Sequence, residues 1–174
     1  SDVMLIERSE LTSGSTWHAA GGFHTLNGDT NMAALQGYTI RLYKELEAIT
    51  GMSCGLHHVG GVTLADNEAR FEMLKAERAK HRYMGLDTEI LSPAEISKLT
   101  DGLVNVDGIL GGLYDPLDGH LDPSGTTHAY AKAARMGGAE IVLHNRVLET
   151  NPTREGWEVV TEKGTVTCEH LVNA

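Results

Sequence analysis

Val3-Met4-Leu5-Ile6-Glu7 is an unbroken apolar run that ends in an acid. A surface strand of an antiparallel sheet alternates apolar and polar residues, so four apolar positions in a row predict a parallel strand buried on both faces. Such a strand needs hydrogen-bonded neighbours, and a preceding strand-turn-helix unit normally supplies one. Leu171-Val172-Asn173-Ala174 reads as a second strand, with no cap or polar tail after it. Both features predict an internal stretch of a longer protein, or a chain cut at both ends. Of the 174 residues 41% are hydrophobic and 22% charged, a composition and length that allow a proper core. Acidic residues outnumber basic ones 24 to 14, for a formal charge of −10. That balance argues against nucleic acid or an anionic membrane as the main partner, because both require a basic footprint. Cys54 and Cys168 form no CxxC pair and suggest neither a disulfide scaffold nor a zinc site, so a reducing compartment is the default. No apolar run approaches the ~18 residues of a membrane-spanning helix, and no signal peptide opens the chain.

Working outward from the first strand, residues 8–22 are rich in Ser, Thr and Gly and read as a loop entering a short helical turn. Met32, Leu35, Tyr38, Leu42, Leu46 and Ile49 recur at steps of three and four, which predicts a helix over 30–50 closed by Gly51. Residues 60–65 read as a strand, and 67–84 as a charged helix with Phe71, Leu74 and Met84 on its apolar side, stopped by Gly85. Ser92-Pro93-Ala94-Glu95 is a capping box with proline at the first helical position, opening a short helix to Leu99. Residues 109–114 are strand-like and glycine-rich. Asp122-Pro123 opens a helix to Met136, and Ile141-Val142-Leu143 is again a continuous apolar strand, followed by 146–149. Residues 157–161 and 165–168 alternate around Glu162-Lys163-Gly164 and predict a β-hairpin. The order predicts an α/β fold: an incomplete nucleotide-binding parallel sheet from 1–49 and 121–174, with the hairpin in its second part, interrupted by an inserted α+β segment at 50–120.

The acid that ends the first strand has a specific meaning in dinucleotide-binding folds. There the second strand ends in a carboxylate ~20 residues after a glycine-rich turn and accepts hydrogen bonds from the adenosine ribose. Here that turn would lie upstream of Ser1, and Glu7 alone also reads as a solvated loop acid. Ser13-Gly14-Ser15-Thr16-Trp17-His18-Ala19-Ala20-Gly21-Gly22 offers hydroxyls and backbone N–H groups to an anion such as a pyrophosphate. It also reads as a Ser/Thr-rich cap, although a cap has no need of Trp17 or His18. His24 and His57-His58 lack partners at metal-ligand spacing and read as polar surface. His120 reads as part of a turn at 118–120, and Asp101 and Asp107 show no acid/base pairing. The mixed charges of 68–82 read as a solvated helix face.

The stretch from Glu7-Arg8-Ser9 through Ser15-Thr16-Trp17-His18-Ala19-Ala20-Gly21 resembles the flavin-attachment segment of the dimethylglycine and sarcosine dehydrogenases, within the D-amino-acid-oxidase-like FAD oxidoreductases. The likeness continues at Leu91-Ser92-Pro93-Ala94-Glu95-Ile96, at 112–123 (Gly-Leu-Tyr-Asp-Pro-Leu-Asp-Gly-His-Leu-Asp-Pro) and at Leu171-Val172-Asn173-Ala174. It implies a Rossmann-like FAD-binding sheet with an inserted substrate-domain segment. Glu7, with Arg8 beside it, would hold the adenosine ribose, and Gly14, Ser15 and Thr16 would meet the pyrophosphate. His18 matches the histidine bonded covalently to the 8α-methyl carbon of the isoalloxazine, with Ala19, Ala20 and Gly21 lining the same segment. Val147 would read the adenine edge through its backbone, and Ala174 would approach the pyrophosphate side. A neutral imidazole nitrogen is a competent nucleophile, and the ordinary histidine pKa near 6.5 leaves the ring mostly neutral at pH 7.

The resemblance implies an enzyme that oxidatively demethylates dimethylglycine or sarcosine. Its catalytic side chains lie outside these residues, so none is named and no metal is expected. These residues in isolation are expected not to hold FAD. Tetrahydrofolate is implied through a domain outside the chain, with an electron-transfer flavoprotein as a possible electron acceptor and the cytoplasm preferred over the mitochondrial matrix. Two alternatives stay open: a non-catalytic regulatory paralogue of the same fold, and an FAD amine or amino-acid oxidoreductase with another substrate.

Overall fold

The computed structural model describes residues 2–24, 27 and 29–174. In chain order its elements are β1 (Met4–Ile6), a 3-10 turn (Thr16–His18), β2 (Gly22–Phe23), α1 (Thr30–Thr50), β3 (Gly61–Ala65), α2 (Glu68–Tyr83), β4 (Glu89–Leu91) and α3 (Pro93–Leu99). These are followed by β5 (Gly111–Asp115), β6 (Gly119–His120), α4 (Pro123–Met136), β7 (Glu140–Val142), β8 (Val147–Thr153), β9 (Gly156–Thr161) and β10 (Gly164–Cys168). Two compact units emerge. The first comprises Ser1–Ala19, Leu46–Ser53 and Pro123–Ala174, and the second comprises Ala20–Glu45 and Cys54–Asp122.

In the first unit β1 runs parallel to β7, with Met4 opposite Glu140, Leu5 opposite Ile141 and Ile6 opposite Val142. The apolar run therefore forms a parallel strand, but it is not buried on both faces: Met4 is 42% and Leu5 45% exposed. β7 is the one strand paired with β1 among the described residues, and part of the apolar surface of β1 stays open to solvent. β8, β9 and β10 form an antiparallel meander in which Val159 and Thr161 are buried and β8 is exposed along its length. The β9–β10 hairpin lies where the alternation of 157–161 and 165–168 puts it. The strand expected at 171–174 does not form. Apolar side chains are not sufficient for a strand, since the backbone must also find a ladder to join.

The second unit is built on the antiparallel sheet β3-β5-β4, with β5 in the centre. Ala65, Leu74 and Leu113 form its buried cluster, with Phe71 and Ile90 packed against it. β5 contains Gly111 and Gly112 because a Cβ at the first would collide with the Phe71 ring, and at the second with Val62 and Ile96. Helix α2 starts at Asn67, whose side chain accepts from Arg70 N at 2.9 Å. Helix α3 starts with the reciprocal Ser92/Glu95 capping box. His120 does not lie in a turn. It belongs to β6, pairs with Gly22 of β2 and bridges to His57. A two-residue strand is too short to show alternation, so only its distant partners define it. Replacing fully buried Leu113 by alanine is expected to destabilise this unit by about 2–5 kcal/mol, read as a lower denaturation midpoint. An unchanged midpoint would remove Leu113 from the core.

Candidate functional site

Parallel pairing sends the chain out of β1 and β7 at the same end of the sheet, and the two following turns are tied together there. Glu7 N donates to Val142 O at 2.9 Å, Asn145 N to Glu7 O at 2.9 Å and His144 N to Ser9 O at 3.3 Å. The Glu7 carboxylate is oriented by its own loop, with Oε1 accepting from Ser9 N at 2.7 Å. Arg8 is exposed beside it. His144 takes a left-handed backbone (φ 52°), a region in which histidine is tolerated better than most residues, and its Nε2 meets Glu10 Oε1 at 2.7 Å. Both of those side chains are solvent-exposed, so the pair adds little stability by itself. Val147 opens β8 two residues after Asn145, opposite Thr161, and a bulge follows it.

Gly14 lies in an open turn where a Cβ would meet nothing. Ser15 precedes the 3-10 turn without a side-chain capping bond to it, so the turn's leading N–H groups are not capped by its hydroxyl. His18 N donates to Ser15 O and Ala19 N to Thr16 O, both at 3.1 Å. That closes a tight loop, against which α4 packs. His18 and Trp17 are exposed, Trp17 by 63%, with ring centroids 4.4 Å apart. The exposed indole beside the exposed imidazole forms an aromatic surface open to solvent. Ala20 and Gly21 belong to the second unit, where Gly21 has φ 77° and its carbonyl accepts from Leu121 N. Ala174 is exposed and outside any strand.

The second unit contains a further polar cluster. Asp115 and Asp118 are both buried, and their carboxyl groups are hydrogen-bonded to each other. Asp115 Oδ1 accepts from Leu117 N at 2.9 Å, and Asp118 Oδ2 meets His24 Nδ1 at 2.8 Å. A Cβ at Gly61 would collide with the Asp118 carboxyl, so glycine there is required by the close approach. Burial pushes the Asp118 carboxyl up; the His24 hydrogen bond opposes this, while the Asp115 hydrogen bond and charge add to it. His58 Nδ1 donates to Leu117 O at 3.0 Å, and its ring meets Phe23 edge-on. His57 stacks on His120. Among the described residues no group of three or more His, Cys, Asp or Glu side chains is arranged to hold a metal ion.

An α/β layer whose parallel strands end beside an acid and a Ser/Thr-rich turn is the arrangement of a dinucleotide-cofactor protein. The FAD dependent oxidoreductase family (DAO) matches residues 1–174, and the chain belongs to it. Mitochondrial dimethylglycine dehydrogenase of Rattus norvegicus is 38% identical over 174 residues, 99% of this chain and 20% of that protein. Mitochondrial sarcosine dehydrogenase of Homo sapiens is 38% identical over 143 residues, 82% of this chain and 16% of that protein. The chain thus spans about a fifth of the length of these relatives. Among solved structures, glycine oxidase from Bacillus cereus ATCC 14579 superposes with a TM-score of 0.78 at 25% identity, covering 97% of this chain and 47% of that one. The donor set suits FAD: an acid with a second carboxylate oxygen for ribose hydroxyls, an uncapped turn for phosphate, and an open imidazole beside an indole.

Two features carried no functional reading in the sequence. The Asp115–Asp118 pair stands inside a quoted motif, and Asp-Pro-Leu-Asp spacing signals a turn, not burial. His144-Asn145 sits between two strands as an ordinary polar linker, and nothing local reveals that Asn145 is buried.

The raised Asp118 carboxyl carries a sign. The folded state keeps this proton at pH values where the unfolded chain has lost it, so its stabilising effect is present at low pH and lost as pH rises through the folded value. Asp118→Asn is neutral throughout and lacks that slope. Raising the pH from about 4 to about 7 is therefore expected to lower the Tm of the native protein relative to the variant. A Tm difference independent of pH would show that Asp118 does not titrate in this way.

Proposed function

We propose that this chain is the cofactor-anchoring part of an FAD-dependent amine dehydrogenase that oxidatively demethylates N-methylated glycines, with the flavin linked covalently through His18. The observation that carries the reading is the 3-10 turn that presents His18 and Trp17 to solvent behind a Ser/Thr-rich loop. Glu7 accepts hydrogen bonds from the adenosine ribose, with Arg8 beside it. Gly14, Ser15 and Thr16 donate backbone N–H and hydroxyl groups to the pyrophosphate, and Ala174 approaches the same group. Ala19, Ala20 and Gly21 line the segment past the attachment point, and the Val147 backbone reads the adenine edge. His18 would hold the flavin through a bond from its imidazole nitrogen to the 8α-methyl carbon, and an electron-transfer flavoprotein would serve the enzyme as electron acceptor.

When bound, the flavin accepts a hydride equivalent from a substrate N-methyl carbon, leaving an imine that hydrolyses to formaldehyde or passes its carbon to tetrahydrofolate. His18 anchors and tunes the cofactor and is not the base. Its bond prevents cofactor loss and, by withdrawing electrons, raises the flavin potential. The Cys54 and Cys168 thiols, which form no disulfide, favour a reducing compartment, and we place the protein in the cytoplasm in preference to a mitochondrial matrix.

Acid precipitation of the whole protein tests the linkage. Flavin fluorescence should stay with the pellet, and in His18→Ala it should move entirely to the supernatant. Flavin released from the native protein would sink the covalent assignment. Dimethylglycine or sarcosine should reduce an artificial electron acceptor with release of formaldehyde. Inactivity towards both, with flavin bound, would overturn the substrate assignment.

A further inference from the structure

We propose that Asn145 is a positioning residue for the adenosine half of the cofactor, holding the Glu7 loop and the start of β8 at one fixed spacing. The inference rests on the reading of Glu7 and Val147 given above. Asn145 is 6% exposed, although its neighbours His144, Arg146 and every residue of β8 are exposed. An amide side chain buried in a surface turn loses its water and must find hydrogen-bond partners inside the protein. The Asn145 side chain finds one such partner, and its backbone N–H is bonded on the other side. Its backbone N–H donates to Glu7 O at 2.9 Å, one residue's width from the carboxylate that would meet the ribose. Its side-chain Oδ1 accepts from Lys163 N at 3.1 Å, in the turn between β9 and β10.

The hairpin turn returns the connection. Lys163 Nζ donates to Leu143 O at 2.9 Å, and Glu162 N to Arg146 O at 3.0 Å. The turn at 143–147 is therefore clamped from the hairpin side by residues 162–163 and from the strand side by Glu7. Asn145 is the residue that belongs to both clamps. The bulge directly after Val147 means that the β8–β9 ladder alone does not set the position of Val147 rigidly. An apolar residue at 145 would keep the backbone bond to Glu7 O but remove the Oδ1 acceptor from Lys163 N, which then has Thr161 Oγ1 at 3.2 Å, and the turn would lose its side-chain tie to the hairpin. Asn145 thus acts through Glu7 and Val147 and touches no reacting atom.

The test is equilibrium binding to the flavin-free whole protein carrying His18→Ala, so that any flavin binds reversibly. FAD, ADP and FMN are the three probes. Asn145→Ala is expected to weaken FAD and ADP about tenfold, the loss of roughly one buried hydrogen bond, and to leave FMN unchanged because FMN has no adenosine. Asn145→Asp keeps an acceptor for Lys163 N and should restore FAD binding to within about threefold. If the alanine variant does not fold, Asn145→Gln, which displaces the amide by one methylene, should give the same FAD-against-FMN split. Equal weakening of all three probes would show a general loosening and overturn the positioning role, and so would no weakening at all. Glu7→Gln in the same assay separates the two levels. If it leaves ADP binding intact, the adenosine reading itself fails. If it weakens ADP while Asn145→Ala does not, only the role of Asn145 falls.

Discussion

The parallel pairing of Met4–Ile6 with Glu140–Val142 is the constraint on which the first unit depends. Parallel strands end at the same edge, so the chain segments that leave them are brought together without any contact between distant side chains being required. Residues 7–10 and 142–147 meet there through three backbone hydrogen bonds, Glu7 N to Val142 O, Asn145 N to Glu7 O and His144 N to Ser9 O. Doubly wound folds place their ligands at this carboxyl edge because strand-end loops can differ there while the sheet stays unchanged. In an antiparallel arrangement of the same two segments, Glu7 and Val147 would lie at opposite ends of the strands.

The two units use burial differently. In the first, Trp17 and His18 lie exposed while Asn145, in the turn bonded to Glu7, is buried. In the second, a glycine-rich central strand lets α2 and α3 lie close, and the same close approach at Gly61 encloses Asp118 against Asp115. Two carboxyl groups sharing a buried site cannot both ionise at low cost, which couples that corner of the unit to pH. His24 tempers the cost from the surface side, since 71% of its side chain remains in solvent.

Where local chemistry decided the structure, reading the sequence was enough. The step of three and four in Met32 to Ile49 marked α1 as a helix, although Met32, Leu35, Tyr38 and Ile49 stay exposed on it; Asn67 and Gly85 bracketed α2, and Ser92 with Glu95 capped α3. The hairpin at 156–168 followed from alternation around a Lys-Gly turn. The α/β class and the parallel sense of β1 were likewise legible, because hydrophobic pattern is a property of a few adjacent residues.

What lay outside that reach involved partners far away in the chain. β2 and β6 are two residues long and exist because Gly22 and His120 find one another across 97 intervening residues. The exposure of Met4 and Leu5, the absence of a strand at 171–174, the burial of Asp118 beside Asp115 and the burial of Asn145 are all set by what packs alongside. By itself the sequence determined the helices, the β9–β10 hairpin, the fold class and the resemblance that singles out His18. The tertiary structure alone decided which polar groups lose their water, since desolvation depends on neighbours that no local pattern records.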